Sequence, residues 1–108
     1  MAKDDFFVVA YKMLRFLEAA MKVDEIPIEQ FVGESFGISE PYFREILKLL
    51  SDDEYIKGIS FVPIIGQSGY GLRFTRPEIT IKGLEYLQEN SMMKKAANIA
   101  KGIIDVLG

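Results

Sequence analysis

The sequence predicts a mainly α fold with one small β-hairpin, an α+β arrangement in a single domain of 108 residues. Three observations carry this. Ser39-Glu-Pro-Tyr-Phe-Arg-Glu-Ile-Leu-Lys-Leu-Leu50 has a serine placed to cap, a proline fit for a first turn, and Phe43, Ile46, Leu47 and Leu50 at helical spacing. Phe36-Gly-Ile-Ser39 reads as a tight turn leading into it. Two segments rich in β-branched and aromatic residues follow, separated by a glycine-containing loop. Helix, turn, helix, hairpin is the layout of a winged helix-turn-helix domain, here with an additional C-terminal helix.

Composition narrows the function classes. Apolar residues make up 49% and charged residues 27%, the globular norm. With no cysteine, disulfides and thiolate metal sites are excluded, and a cytoplasmic setting is expected. With no histidine, the commonest general base and zinc ligand are missing, so neither an enzyme nor a cofactor is expected. The longest apolar run, Phe6–Tyr11, is far short of the ~18–20 residues a membrane helix needs. Net charge is −3 and unevenly spread: residues 1–54 hold 6 Lys/Arg and 12 Asp/Glu, residues 55–108 hold 7 and 4. A basic footprint is therefore expected in the hairpin and C-terminal helices and not around the helix at 39–51.

In chain order, a first helix over about 4–22 opens on Asp4 and Asp5. Phe6, Val9, Ala10, Met13, Leu17 and Ala20 form one stripe and Phe7, Tyr11, Leu14 and Met21 another, with Lys12, Arg15, Glu18 and Lys22 keeping the rest polar. So wide an apolar arc is either covered on both sides by its own chain or shared with a second subunit. Pro27 starts a second helix, about 28–36, with Ile28, Phe31, Val32 and Phe36 inward. The third helix, 39–51, ends on Asp52-Asp-Glu54, which opposes the helix dipole and reads as a solvated turn. The hairpin runs over about 55–75, with Pro63–Gly69 as its loop, exposed Ile64 and Ile65, and Pro77 as its end. Thr80 caps a helix over 80–90 with Ile81, Leu84 and Leu87 inward, and a last helix, 91–107, carries two adjacent apolar stripes. Two broadly apolar helices at the chain ends suggest a homodimer in which each buries the other's excess.

Phe36-Gly-Ile-Ser-Glu-Pro-Tyr-Phe-Arg-Glu-Ile-Leu-Lys-Leu-Leu50 followed by Tyr55-Ile-Lys-Gly-Ile59 resembles the helix-turn-helix-to-strand segment of bacterial winged-helix proteins. Ile79-Thr-Ile-Lys-Gly-Leu-Glu-Tyr-Leu87 resembles the Thr-x-Lys-Gly lead-in to the helix after the wing. Together with Gln88-Glu-Asn-Ser91 and a lysine-dotted apolar final helix, the pattern resembles the YjcQ family, small winged-helix proteins of Gram-positive bacteria and their phages. The resemblance covers roughly 28–107; it implies a winged helix and a phage or prophage origin, and no defined activity. Such proteins usually carry glycine just before the Tyr-Ile that opens the wing. Here Glu54 stands there, so strain is expected at Asp53 or Glu54.

Two functions follow as expectations. In the first, the protein is a dimeric regulator that binds double-stranded DNA. Arg44 and Lys48 enter the major groove with Tyr42 or Glu45 alongside, Lys57, Arg73 and Arg76 meet phosphates, and Ser39 is a further candidate contact. The competing account of Arg44 is a solvated face paired with Glu40 at i, i+4. In the second, the winged-helix shape serves protein–protein interaction without DNA. No cofactor, metal or membrane partner is expected in either.

Overall fold

The computed structural model describes residues 5–25, 27–63 and 70–90, and for 62–63 and 70–75 the backbone alone. The expected hairpin loop with Ile64 and Ile65, and the expected last helix at 91–107, lie outside the described residues. The elements are α1 (Phe6–Ala20), two short 3-10 turns (Ile28–Gln30 and Gly33–Phe36), α2 (Glu40–Asp52), an antiparallel pair β1 (Ile56–Pro63) and β2 (Tyr70–Ile79), and α3 (Ile81–Glu89). This is the α+β order the sequence predicts. Among the described residues no helix is long and apolar enough to cross a membrane.

Asp5 caps α1, its carboxylate accepting from the Phe7 N–H at 3.0 Å. Ten of the helix's fifteen residues are buried. Lys12 is among them, at 8% exposure, where the sequence pattern had assigned it to the solvent side.

The segment 28–36 is not the continuous helix its spacing suggested. Phe31 and Val32 leave helical geometry, Val32 with φ −137° and ψ 160°. Gly33 accounts for the break. Its N–H donates to Glu40 Oε1 at 2.6 Å, and a Cβ there would sit 2.9 Å from the carbonyl oxygens of Ile38 and Ser39. The chain thus folds back on the start of α2, closer than any side chain allows. Gly37 then turns it with φ +74°, as the sequence indicated. Without a helix there is no common inward stripe: Phe31 and Phe36 are buried, but Ile28 is 37% exposed.

What anchors this irregular stretch is aromatic packing. Phe31 stacks on Phe16 of α1 at 5.2 Å and meets Phe43 of α2 edge-on at 5.3 Å. Phe36 stacks on Phe43 at 5.9 Å and meets Phe16 edge-on at 6.2 Å. Each ring removes roughly 1.5–3 kcal/mol worth of apolar surface from water, before any gain from ring geometry.

Helix α2 begins at Ser39, whose hydroxyl accepts from the Tyr42 N–H at 3.4 Å. It buries Phe43, Ile46, Leu47 and Leu50, the predicted stripe. Its exit is a Schellman turn: Tyr55 N–H donates to the Leu50 carbonyl at 2.9 Å and Glu54 N–H to Ser51 at 3.0 Å. The left-handed position of that turn falls on Glu54, at φ +65°. The strain expected from the missing glycine is located there.

The Thr80-Ile-Lys-Gly83 motif fastens this exit to α3. The Thr80 hydroxyl donates to the Glu54 carbonyl at 2.6 Å and accepts from the Gly83 N–H at 3.1 Å, which caps α3. Lys82 donates to the Asp53 carbonyl at 2.9 Å, with its ammonium 4.9 Å from the centre of the Tyr55 ring. A cation there offsets the carboxylates at α2's C-terminal end. Gly83 leaves room for the Tyr55 carbonyl, 2.5 Å from where a Cβ would lie. The inward face of α3 therefore centres on Gly83 and Leu87, which rotates Ile81 outward to 78% exposure instead of inward.

The hairpin extends further than expected. Strand β2 continues through buried Pro77 to Ile79, pairing Ile56 with Ile79 and Lys57 with Glu78, then Ile59 with Phe74. The register shift opposite Gly58 gives Pro77 the bulge a proline needs inside a strand. Gly58, at φ +84°, approaches Arg76 so closely that a Cβ would lie 2.0 Å from its carbonyl oxygen.

Relieving the left-handed strain in Glu54→Gly is expected to stabilise the protein by roughly 1 kcal/mol, read as a melting temperature raised by ~4 °C. Thr80→Val, which keeps the shape and loses both hydrogen bonds, is expected to cost about 1–3 kcal/mol in urea denaturation, while Thr80→Ser retains most of it.

Candidate nucleic-acid interface

The outward face of α2 is built by the same contacts that bury its other side. With Phe43, Ile46 and Leu47 in the core, Arg44 is half-buried, Glu45 exposed and Lys48 half-buried. The i, i+4 pair Glu40–Arg44 does not form. The Glu40 carboxylate turns back to the Gly33 N–H, and among the described residues Arg44 has no ion pair. Lys48 makes a loose contact with the exposed Asp52 at 3.8 Å, worth a few tenths of a kcal/mol.

Ser39 is exposed, but its hydroxyl serves as the α2 cap, and Tyr42 is half-buried against the core. Lys57 is exposed on β1, across the ladder from Glu78. Arg73 lies in β2 opposite Ser60, with its side chain outside the described residues. Arg76 is exposed and donates to the Asp24 carbonyl at 3.2 Å, which ties it to the turn after α1. The structure thus brings Ser39, Tyr42, Arg44 and Lys48 onto one helix and places Arg76 against a different element.

Electrostatically this face is weak. Residues 40–54 hold Glu40, Glu45, Asp52, Asp53 and Glu54 against Arg44 and Lys48. Among the described residues no three carboxylates gather as a cation site.

A family model described as YjcQ protein matches residues 11–106. The chain belongs to the YjcQ family. No curated protein and no solved structure matches it. The YjcQ match takes in α1 from Tyr11 onward and every later element to α3, and assigns no residue a role.

A feature that helical spacing missed is an apolar cleft of about 150 Å³, bordered by Phe6 and Phe7 of α1, Leu49 and Leu50 of α2, Tyr55 and Tyr86. Phe7 is 56% and Leu49 44% exposed at its rim. The signal in the sequence was Leu49, on the flank of the α2 stripe. The wide arc of α1 also changes meaning: most of it is buried within one chain, and only Phe7 and Met21 of the arc's large apolar residues are exposed.

Burial raises the phenol pKa of Tyr11 and of Tyr86 above the ordinary 10.0, with smaller effects of neighbouring charged or ionisable groups. The folded state holds these protons longer than the unfolded chain, so their contribution is complete below pH 10.0 and is lost as pH rises above it. Melting curves from neutral to strongly alkaline pH are expected to show falling stability above that value, with a smaller fall in Tyr86→Phe.

Proposed function

We propose that the protein is a winged-helix DNA-binding protein of the transcription-regulator type, with α2 as the reading helix and the hairpin as the wing. One observation carries the proposal: the Arg44 guanidinium on α2's outward face is left without an ion pair among the described residues because Glu40 is diverted to the Gly33 N–H. An unneutralised, planar, five-donor group one turn into such a helix suits bidentate contact with a guanine edge. Lys48, one turn on, and Lys57 on β1 supply phosphate contacts. The tight turn at Gly37, helix α2 and the hairpin that follows it support the winged-helix reading, with two 3-10 turns standing where its preceding helix was expected, as does the resemblance to small proteins of bacteria and their phages. No catalytic chemistry enters this reading.

A second reading, a protein-interaction module, draws support from the exposed rim of the apolar cleft, Phe7 and Leu49, and from the acidic exit of α2.

Fluorescence anisotropy with duplex DNA at low and moderate salt separates the two. Binding at low salt is expected, with log affinity falling against log salt by about one unit of slope per phosphate contact. Arg44→Ala is expected to lose about 1–3 kcal/mol on a selected site and to relax base preference. Lys48→Ala is expected to weaken all sequences alike and lower the salt slope by about one. No binding at low salt sinks the DNA reading and leaves the interaction module.

A further inference from the structure

We infer that the apolar cleft between α1, the end of α2 and α3 is a small-molecule site, and that it takes a compact arylalkylamine, one apolar ring carrying one ammonium group. Such a site stands apart from both readings of function and needs neither.

The cleft has a local origin. Phe6, Ala10 and Leu14 fall at i, i+4 and i+8 and stand in one row along α1. The middle member is the small one, which leaves a gap between its neighbours. Leu49 and Leu50 of α2, Tyr55 from the turn after it and Tyr86 of α3 border that gap without filling it.

Size and lining select the ring. A dry cavity of about 150 Å³ lined by Leu, Ile and Phe holds one benzene, and this cleft has about that volume. Two edge-to-face aromatic pairs line it, Phe6 with Phe7 at 5.2 Å and Tyr55 with Tyr86 at 5.4 Å. An arriving ring finds partners there for stacked or edge-on contact. A macromolecular partner fits less well. A stable protein interface buries on the order of 1,000 Å², whereas among the described residues only Phe7 and Leu49 of the large exposed apolar side chains stand at this rim.

Charge selects the ammonium. Asp53 belongs to the lining, and among the described residues its carboxylate has no ion pair. Asp52 and Glu54 flank it, and the C-terminal end of α2 adds the negative pole of its dipole. Lys82 does not cancel this: it donates to the Asp53 backbone carbonyl and leaves the carboxylate open. Its ammonium, 4.9 Å from the centre of the Tyr55 ring, also illustrates how the aromatic wall accommodates a cation. Three carboxylates against one ammonium favour a cationic ligand over an anionic one.

Benzylamine, benzyl alcohol and benzoate, three ring compounds of one size, test this in amide-resolved NMR titrations of the full chain. Benzylamine is expected to saturate at roughly millimolar concentration, with shifts centred on Phe7, Leu49, Asp53, Tyr55 and Tyr86. It is expected to bind at least ~5-fold tighter than the alcohol and ~10-fold tighter than benzoate. Asp53→Asn, at an exposed position, is expected to cut the preference for amine over alcohol about 3-fold. Phe7→Ala, at the rim, is expected to weaken all three ligands alike, by about 3–10-fold. Absence of saturating shifts, shifts centred elsewhere, benzoate binding as tightly as benzylamine, or an unchanged preference in Asp53→Asn overturns the inference. Cleft shifts on dilution of the protein alone do so too, in favour of a second copy.

Discussion

The structure depends first on four phenylalanines. Between α1 and α2 the chain has two 3-10 turns, a left-handed glycine and an extended valine, whose backbone hydrogen bonds, such as Gln30 N–H to Pro27 and Ile38 N–H to Gly33, are local to the stretch. Phe31 and Phe36 fix the position of this stretch by wedging between Phe16 and Phe43, with all four rings within 6.2 Å of a neighbour. Interiors pack at crystal-like density, so α2 cannot rotate without repacking the whole set. The face that α2 shows to solvent is in this sense chosen by rings on its other side. The Gly33–Glu40 hydrogen bond completes the constraint, because it needs the backbone approach that the rings enforce.

A second constraint closes the other end of α2. Thr80, Lys82 and Gly83 each satisfy or accommodate a backbone carbonyl between Asp53 and Tyr55. The motif that resembled a lead-in to the helix after a wing is thus used within the fold. Its lysine is committed to a carbonyl and a tyrosine ring. The Glu54 strain is tolerated because its carbonyl is held by the Thr80 hydroxyl and its own N–H by the helix end.

Local rules made much of this legible. Helix α2, its serine cap and the Thr80 cap follow from short-range patterns and stand where the pattern put them; the hairpin does too but runs on through Pro77 to Ile79, and the strained residue before Tyr55 is one of the two that the family resemblance implied. Non-local contacts decided the rest. Phe31 and Phe36 point inward as foreseen, but through irregular backbone and not through a helix, because Gly33 answers to Glu40 seven residues on. Ile81 turned outward because Gly83 faces Tyr55, a contact between elements that no window along the chain contains. The site was half legible. Arg44 was evident from its place on the helix, whereas its freedom from Glu40 required knowing where that carboxylate goes.

The acidic balance of the chain bears differently on reach and on contact. Fields from exposed charges fade over a Debye length of ~8 Å at physiological salt. Arg44 and Asp52 lie eight residues apart on one helix, ~12 Å along its axis, with Lys48 between them. The carboxylates at the α2 exit therefore do little to the potential at Arg44, while they oppose any long-range attraction of a polyanion. In helix-turn-helix proteins the N-terminal turns of the reading helix meet the bases, and Arg44 occupies that end while Asp52 occupies the other. A net charge of −3 thus argues against fast electrostatic steering more than against a short-range, few-contact complex.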